Sequence, residues 1–152
     1  MIEVRIATAQ DADALLHIRL CMLRELHGLR EDDAFDSAFL EATRAALRPG
    51  ASVTAVADED GAIVGCATLC PLRLLPTWQH RSGRRGHIMN VYTSPAHRRR
   101  GAARRMLALL IAVAREQGMT ELSLDATEEG RPLYLSLGFV ANGEGMVLPL
   151  NP

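Results

Sequence analysis

The chain is poor in the residue types that mark several classes of protein. Aromatic residues make up 4% of its 152 residues and the net charge is −1. It therefore lacks the stacking set and the overall positive charge of a nucleic-acid-binding module. Its three cysteines, Cys21, Cys66 and Cys70, are an odd number without metal-ligand spacing. We expect small buried thiols, no bound metal and no nucleic-acid partner.

Long apolar runs are missing as well. The longest, Met106 to Ala114, is far too short to cross a bilayer. The charged residues Glu3 and Arg5 stand where a signal peptide needs an apolar core. We therefore expect a cytoplasmic protein with no membrane partner. A chain of 152 residues fits a single domain, which we place at 1–152.

Lysine is absent, and all 17 basic residues are arginine. Acidic residues are missing between Asp60 and Glu116, a stretch rich in arginine, whereas the first part of the chain is acidic. Genome composition alone can produce a preference for arginine. The cationic middle therefore gains meaning only where its arginines meet a phosphate-binding pattern.

Hydrophobic periodicity and turn residues predict the element order β-α-α-β-β-β-α-β-α-β-β. A strand at Ile88–Thr93, a helix at Gly101–Gln117 and a strand at Glu121–Asp125 form a β-α-β unit, so these two strands should be parallel. A closing hairpin of Phe139–Val140 and Met146–Leu150 should follow. The predicted fold is α/β (α+β), a mixed and mostly antiparallel sheet flanked by helices.

The segment from His87 to Ala103 carries the strongest functional signal. A strand runs into a basic turn of small residues that opens a helix. Backbone N–H groups at a helix start have no partners within the helix and carry partial positive charge, so they bind phosphate oxygens well. Because Gly101, Ala102 and Ala103 are small, a pyrophosphate can approach the backbone closely.

This segment resembles the signature of the GNAT acetyltransferase superfamily, Arg/Gln-x-x-Gly-x-Gly/Ala, which Arg98, Gly101 and Ala103 match. The lead-in Val91-x-Thr93-x-Pro95 is similar to the strand that precedes the signature. Downstream, 134–139 resembles the family's closing Tyr-x-x-x-Gly-Phe element. Two motifs at the right separation, with matching element order along essentially the whole chain, are far more specific than the short signature alone.

The resemblance implies acetyl-CoA as co-substrate, without a metal. Its pyrophosphate would lie on the backbone of Arg99 to Ala103. Its pantetheine arm would lie between the two parallel strands, which splay apart in this family. A neutral amine would attack the thioester directly, so the implied enzyme is an N-acetyltransferase. The residues implied to contact acetyl-CoA are Val91, Tyr92, Thr93, Arg98, Arg99, Arg100, Gly101, Ala102, Ala103 and Arg104.

Such a reaction needs an acid, a base and a hydrogen-bond donor to the developing oxyanion. Tyr134 matches the family's acid position, and a phenol is protonated at neutral pH. His87 lies near the position where some members carry a carboxylate base, and an imidazole accepts a proton near neutral pH. A surface histidine without a catalytic role is an equally good interpretation of His87. The oxyanion donor would be a backbone N–H near Val91 or Tyr92.

The acceptor is defined only by class, as a small-molecule or peptide amine. The resemblance places its site between the acidic Leu29–Phe35 connection and the arginine-rich Pro76–Gly86 loop, where a zwitterion would suit both charges. Asn90 and Trp78 are the candidate substrate contacts. Two alternatives stay open, a catalytically silent acyl-CoA sensor and, less favoured, a nucleic-acid-binding module. A homodimer also stays open.

Overall fold

The computed structural model describes residues 1–151, which build a five-stranded sheet between helices. Strands β1 (Ile2–Ile6), β2 (Val53–Glu59), β3 (Ala62–Arg73) and β4 (Arg84–Thr93) are antiparallel neighbours in chain order. Strand β5 (Leu122–Ser123) joins β4 in parallel. The mixed, mostly antiparallel sheet predicted from the sequence is confirmed.

The helices are α1 (Ala12–His27), α2 (Ser37–Ala46), α3 (Ala102–Glu116) and α4 (Arg131–Ser136). Helix α1 follows a short 3-10 turn that Thr8 and Asp11 cap reciprocally. It ends at Gly28, whose φ of +63° is the left-handed stop that glycine allows. Within residues 1–151, none of the helices has the length and hydrophobicity required to cross a membrane.

Helix α3 fills one face of the sheet. Its side chains Met106, Leu107 and Leu110 are fully buried and form one cluster with Leu69 of β3 and Ile88 of β4. Burial of a side chain of this size stabilises a fold by about 2 kcal/mol. This stripe therefore fixes α3 on the sheet and holds the first turn of α3 near the end of β4.

Helix α1 covers the opposite face, mainly over β3. Its residues Leu15 and Ile18 are buried, and strand alternation places Val56 and Cys66 on the same side of the sheet. Helix α1 leaves part of β4 uncovered on this face, where Met89 is 43% exposed. The uncovered part of this face lies beside the first residues of β4 and β5.

Strands β4 and β5 share two residue pairs, Gly86 with Leu122 and His87 with Ser123. A Cβ on Gly86 would lie 2.6 Å from Leu69 and 2.8 Å from Leu122, so glycine is what allows β5 to approach. Beyond His87 the described chain has no further ladder between the two strands. They part toward the start of α3, as the resemblance implied.

Two strand boundaries differ from the expectation. Strand β4 begins at Arg84, before the predicted start at Ile88, because Arg73 extends the β3 ladder that far. Strand β5 is shorter than the predicted Glu121–Asp125 because β4 turns away after the second pair. The parallel β-α-β unit itself is confirmed.

The prediction of a closing hairpin is wrong. Residues 139–151 contain no strand, and Val147 and Leu148 are 93% and 81% exposed. Glycines at 143 and 145 weaken a strand, and Pro149 cannot donate to a ladder. Apolar residues at the predicted positions were therefore insufficient to pair this segment with β5.

Candidate active site

The start of α3 presents a row of free backbone N–H groups. Gly101 precedes the helix in the left-handed conformation, with φ +79° and no side-chain cap. Among residues 1–151, no atom accepts a hydrogen bond from the N–H groups of residues 99 to 104. A Cβ on Gly101 would meet no atom within 4 Å. The space beside this turn is therefore open to a ligand.

Residues with positive φ alternate with residues with negative φ along this turn. Arg98 is extended, whereas Arg99 and Gly101 are left-handed, with φ +64° and +79°. Such alternation directs successive N–H groups into one concavity that binds anions, called a nest, which here comprises residues 99–104. A left-handed arginine costs on the order of 1 kcal/mol, and such strain concentrates at functional turns. The residues present thus fit the pyrophosphate of acetyl-CoA.

The arginine side chains of the turn hold it against the rest of the fold. Arg98 donates to both carboxylate oxygens of Glu25, at 2.9 and 3.0 Å, and to the Thr93 carbonyl at 2.7 Å. Arg104 donates to Ser136 Oγ of α4 at 2.5 Å. The guanidinium of Arg98 therefore ties α1 to the end of β4, while the backbone N–H groups stay free for an anion.

Tyr92 supports the same tie from β4. The neighbouring Tyr92 hydroxyl, followed by the hydrogen bonds from Arg98, lowers the pKa of Glu25. Burial, and then the Glu25 carboxylate, raise the pKa of Tyr92 to about 12. The guanidinium of Arg98 lies 5.5 Å from the Tyr92 ring centre. Tyr92 thus faces α1, whereas Val91 packs against the core on the α3 side.

His87 stands at the last residue pair before β4 and β5 part. Its Nδ1 is 2.8 Å from Oγ of Ser123, and its Nε2 is 3.9 Å from Oδ2 of Asp125. The side chain is 28% exposed. The contact with Ser123 orients the ring and leaves Nε2 accessible beside a solvated carboxylate. This arrangement suits a group that exchanges protons with a bound ligand.

Tyr134 lies on α4, above an open groove of about 1110 Å³ that Ser123 and Asp125 also line. Its ring packs edge-on against Phe139, with 6.0 Å between centroids. Its hydroxyl has no hydrogen-bond partner among residues 1–151. Burial raises the pKa of Tyr134, so the phenol is a protonated donor at neutral pH. The Tyr134 side chain and Ser123, the partner of His87, thus line the same groove.

The two candidate substrate contacts occupy different environments. Trp78 is 83% exposed in the loop between β3 and β4, with the Arg81 guanidinium stacked 4.1 Å from its ring centre. Asn90 is 5% exposed, and its amide is bonded to Arg19 and Thr68 inside the protein. A substrate contact by either residue stays a prediction.

The sequence profile described as the acetyltransferase (GNAT) family matches residues 13–139. The chain belongs to this family. The strand, turn and helix at residues 84–116 lie within the matched region. The family assignment made from the two short motifs is confirmed.

Solved structures resemble this GNAT protein along nearly its whole length. A predicted acetyltransferase from Clostridium acetobutylicum, solved with acetyl-CoA, is 30% identical, with a TM-score of 0.85 over 99% of this chain and 97% of that one. A GCN5-related N-acetyltransferase from Ralstonia eutropha JMP134 is 28% identical, with a TM-score of 0.77 over 99% of each chain. Acetyl-CoA is the co-substrate that the family uses.

A curated relative is named for its acceptor. The glucosamine 6-phosphate N-acetyltransferase of Trypanosoma brucei brucei is 32% identical over 90 residues, which cover 59% of each chain. This GNAT chain thus spans about three fifths of that relative's length. This similarity supports membership in the family and does not define the acceptor of this chain.

Several residues of this GNAT site escaped the sequence analysis. Glu25 holds Arg98 from 73 residues away, and Ser123 holds His87 from 36 residues away. Arg19 reaches Asn90 across 71 residues. Each is a polar residue in an element predicted for its apolar pattern, so no local signal distinguished it. Only the packing of α1 and β5 onto β4 reveals their partners.

Proposed function

We propose that this protein transfers the acetyl group of acetyl-CoA to a primary amine. The observation that carries the proposal is the row of N–H groups at residues 99 to 104 without partners in the described chain. Such a row suits a pyrophosphate. Membership in an acetyltransferase family and the likeness to a protein solved with acetyl-CoA support this donor.

In the proposed reaction the amine nitrogen bonds to the acetyl carbon, the carbon–sulfur bond breaks, and the sulfur leaves as a thiolate that takes up a proton. His87 removes a proton from the acceptor ammonium through Nε2. Tyr134 protonates the thiolate, and the acetylated nitrogen loses its second proton to solvent to become the amide. His87 then releases its proton to solvent, and Tyr134 regains one from solvent. A backbone N–H near Val91 or Tyr92 donates to the acetyl oxygen, a contact worth about 3 kcal/mol in comparable enzymes.

The bound acetyl-CoA would be held by the same segment that the resemblance implied. Backbone N–H groups of Arg99 to Arg104 take the pyrophosphate, with charge from Arg98 and Arg100 nearby. The edge of β4 from Val91 to Thr93 takes the pantetheine amides. Strand edges offer paired N–H and C=O groups for such amides once the neighbouring strand has parted.

For the acceptor we propose a small amine that also carries an anionic group. Arg85 lies two residues before His87 on the same face of β4, so the two side chains start about 7 Å apart. Arg85 donates to Glu121 at 3.4 Å, and Glu121 also lies 3.3 Å from His80 Nε2. An amine at His87 would place an attached phosphate or carboxylate near Arg85. The trypanosomal relative's name makes glucosamine 6-phosphate the first compound to test.

The test is an assay of released CoA thiol over a panel of amines, with glucosamine and glucosamine 6-phosphate as a pair that differs by the phosphate alone. We expect turnover of the phosphorylated sugar with the lower KM. Arg85→Gln should raise that KM about tenfold and leave the KM of glucosamine unchanged. Arg48→Gln, at an exposed arginine after α2 and outside the proposed acceptor site, is the matched control.

Two outcomes contradict parts of this proposal. Acetyl-CoA binding without turnover of any amine would favour the silent sensor. Equal KM values for the two sugars would reject the anionic acceptor while keeping acetyl transfer.

A further inference from the structure

Asn90 has a backbone conformation that is unusual within a strand. Its φ is +59°, in the left-handed region that glycine and asparagine tolerate best. The residue is 5% exposed and lies in the middle of β4. A non-glycine residue pays about 1 kcal/mol or more for this conformation, which persists only where surrounding contacts enforce it.

The enforcing contacts form a directed chain of hydrogen bonds. Arg19 of α1 donates through Nη1 to Asn90 Oδ1 at 3.3 Å, which fixes the orientation of the amide because arginine only donates. Asn90 Nδ2 donates to Thr68 Oγ1 at 3.1 Å, and Thr68 lies 2.9 Å from Thr54 Oγ1. Bonds that follow one another in this way strengthen each other in a dry interior.

The conformation of Asn90 creates a β-bulge. On β3, Thr68 pairs with Met89 and Cys66 with Tyr92, so two β4 residues face the single residue between Cys66 and Thr68. The extra residue shifts the alternation of β4 by one position. Without it, Asn90 would face the apolar α3 side, and the side chain after it would face α1.

The shift has a consequence for the proposed reaction. It turns Val91 into the core and Tyr92 toward Glu25, so the backbone between His87 and the phosphate-binding turn takes one defined course. That stretch supplies the N–H proposed to meet the acetyl oxygen. Such donors must be fixed before the reaction to stabilise developing charge.

We propose that Asn90, held by Arg19, is a positioning residue that fixes the β4 bulge and thereby the oxyanion-binding backbone at Val91 and Tyr92. This inference rests on the proposed acetyl transfer. It gives α1 a part in setting the thioester site through Arg19, which donates to Asn90 and, within residues 1–151, makes no hydrogen bond to the nest at residues 99–104. Asn90 then acts through the backbone instead of by touching the acceptor.

The first test needs no acceptor. Asn90→Gly keeps the left-handed φ accessible and removes both side-chain bonds. We expect amide hydrogen exchange at Val91 and Tyr92 to quicken about tenfold or more in the free protein. Ser52→Ala is the control, because it removes another buried hydroxyl bond, to the Ala46 carbonyl at 2.7 Å, outside this network. Unchanged exchange in Asn90→Gly, or equal quickening in Ser52→Ala, would overturn the inference.

The second test uses single-turnover acetyl transfer with the best amine of the panel. Asn90→Gly should slow this step about tenfold, while its Kd for CoA stays within about twofold of wild type, because the backbone of residues 99–104 holds the pyrophosphate. Asn90→Asp tolerates the same φ and accepts from Arg19, so it should restore the rate to within about threefold. A wild-type rate in Asn90→Gly, or no rescue by aspartate, would contradict the positioning role.

Arg19→Met covers the case in which Asn90→Gly does not fold. It keeps an apolar stem of similar length and removes only the donor to Asn90. We expect quicker exchange at Val91 and Tyr92 and a slower single turnover in this variant too. If both stay at wild-type values, Arg19 does not hold the bulge. A wild-type protein that turns over no amine would count against the proposed function, while the exchange test would still decide the role of Asn90.

Discussion

One guanidinium nitrogen of Arg98 donates to both carboxylate oxygens of Glu25, at 2.9 and 3.0 Å. The two residues lie 73 positions apart and join α1 to the signature turn. Both side chains are more than two fifths exposed, so the pair itself adds little to stability. Its effect is geometric, because Arg98 also holds the Thr93 carbonyl at 2.7 Å and so fixes the entry to the nest.

Glu25→Gln tests what this pair does. If Glu25 holds the turn in shape, the variant should bind acetyl-CoA about threefold more weakly, with a small change in melting temperature. Calorimetric titration of both proteins provides the comparison, with Glu31→Gln as an exposed control that contacts no part of the turn. Tighter binding by Glu25→Gln would contradict this view, since it would mean that Glu25 withholds Arg98 from the pyrophosphate.

His87→Ala should lower the rate of acetyl transfer about a hundredfold near neutral pH. The loss should shrink as pH rises, because more of the acceptor amine is already neutral and needs no base. The measurement is the dependence of single-turnover rate on pH, with His27→Ala at the exposed end of α1 as the control. A wild-type pH profile in His87→Ala would contradict the role of His87 as the base. His87 would then be a residue that only pairs with Ser123.

Tyr134→Phe removes one hydroxyl and keeps the ring against Phe139. Since that hydroxyl has no partner among residues 1–151, the melting temperature should move little. The Kd for acetyl-CoA should also hold. The single-turnover rate should fall about a hundredfold if the phenol protonates the leaving thiolate. Normal chemistry in this variant would show that Tyr134 only packs and that the thiolate leaves with another donor.

The pair of Asp11 with Arg5 predicts how the stability of the fold depends on pH. Arg5 donates to it at 2.8 and 3.0 Å, and these bonds lower the pKa of Asp11 from 3.8 to about 2. A carboxyl with a lowered folded-state pKa stabilises the fold above its unfolded pKa and loses that effect as pH falls through the folded value. At neutral pH, Asp11→Asn should therefore reduce the free energy of unfolding by about 1 to 2 kcal/mol.

The difference between Asp11→Asn and wild type should narrow below about pH 4 and vanish below about pH 2, as measured by denaturant unfolding. Asp13→Asn is the matched control, because the Asp13 side chain is 92% exposed in its pair with Arg44 and should contribute almost nothing. A constant difference at every pH would assign the effect of Asp11 to its cap of the 3-10 turn instead of its charge.

The sequence was sufficient for the parts of the fold that depend on local patterns. The apolar stripe of α3, the small residues at 101–103 and the Tyr134–Phe139 motif each predict a structure from neighbouring positions. The parallel strands followed from the β-α-β order. These elements place the nest beside the open end of β4.

The features of the fold and of the candidate site that the sequence did not predict depend mostly on contacts between distant residues. Nothing near Asn90 in the sequence predicts a bulge, because the bulge requires Arg19 from α1 and Thr68 from β3. The same holds for the Glu25 tie. The closing hairpin failed for the opposite reason, since apolar residues at 146–150 were counted without a pairing partner that overcomes Pro149 and the glycines before it.

The central claim is that acetyl-CoA binds through the backbone N–H groups of residues 99 to 104. Titration of isotope-labelled protein with acetyl-CoA, followed by amide NMR, measures these groups directly. The account predicts that they show the largest downfield shifts in the chain, since each gains a charged acceptor. Gly101→Glu should lose the shifts and Gly101→Ala, which has the same backbone strain without the charge, should keep most of them. Binding that leaves the amides of residues 99 to 104 unmoved, or no binding at millimolar acetyl-CoA, would contradict the claim.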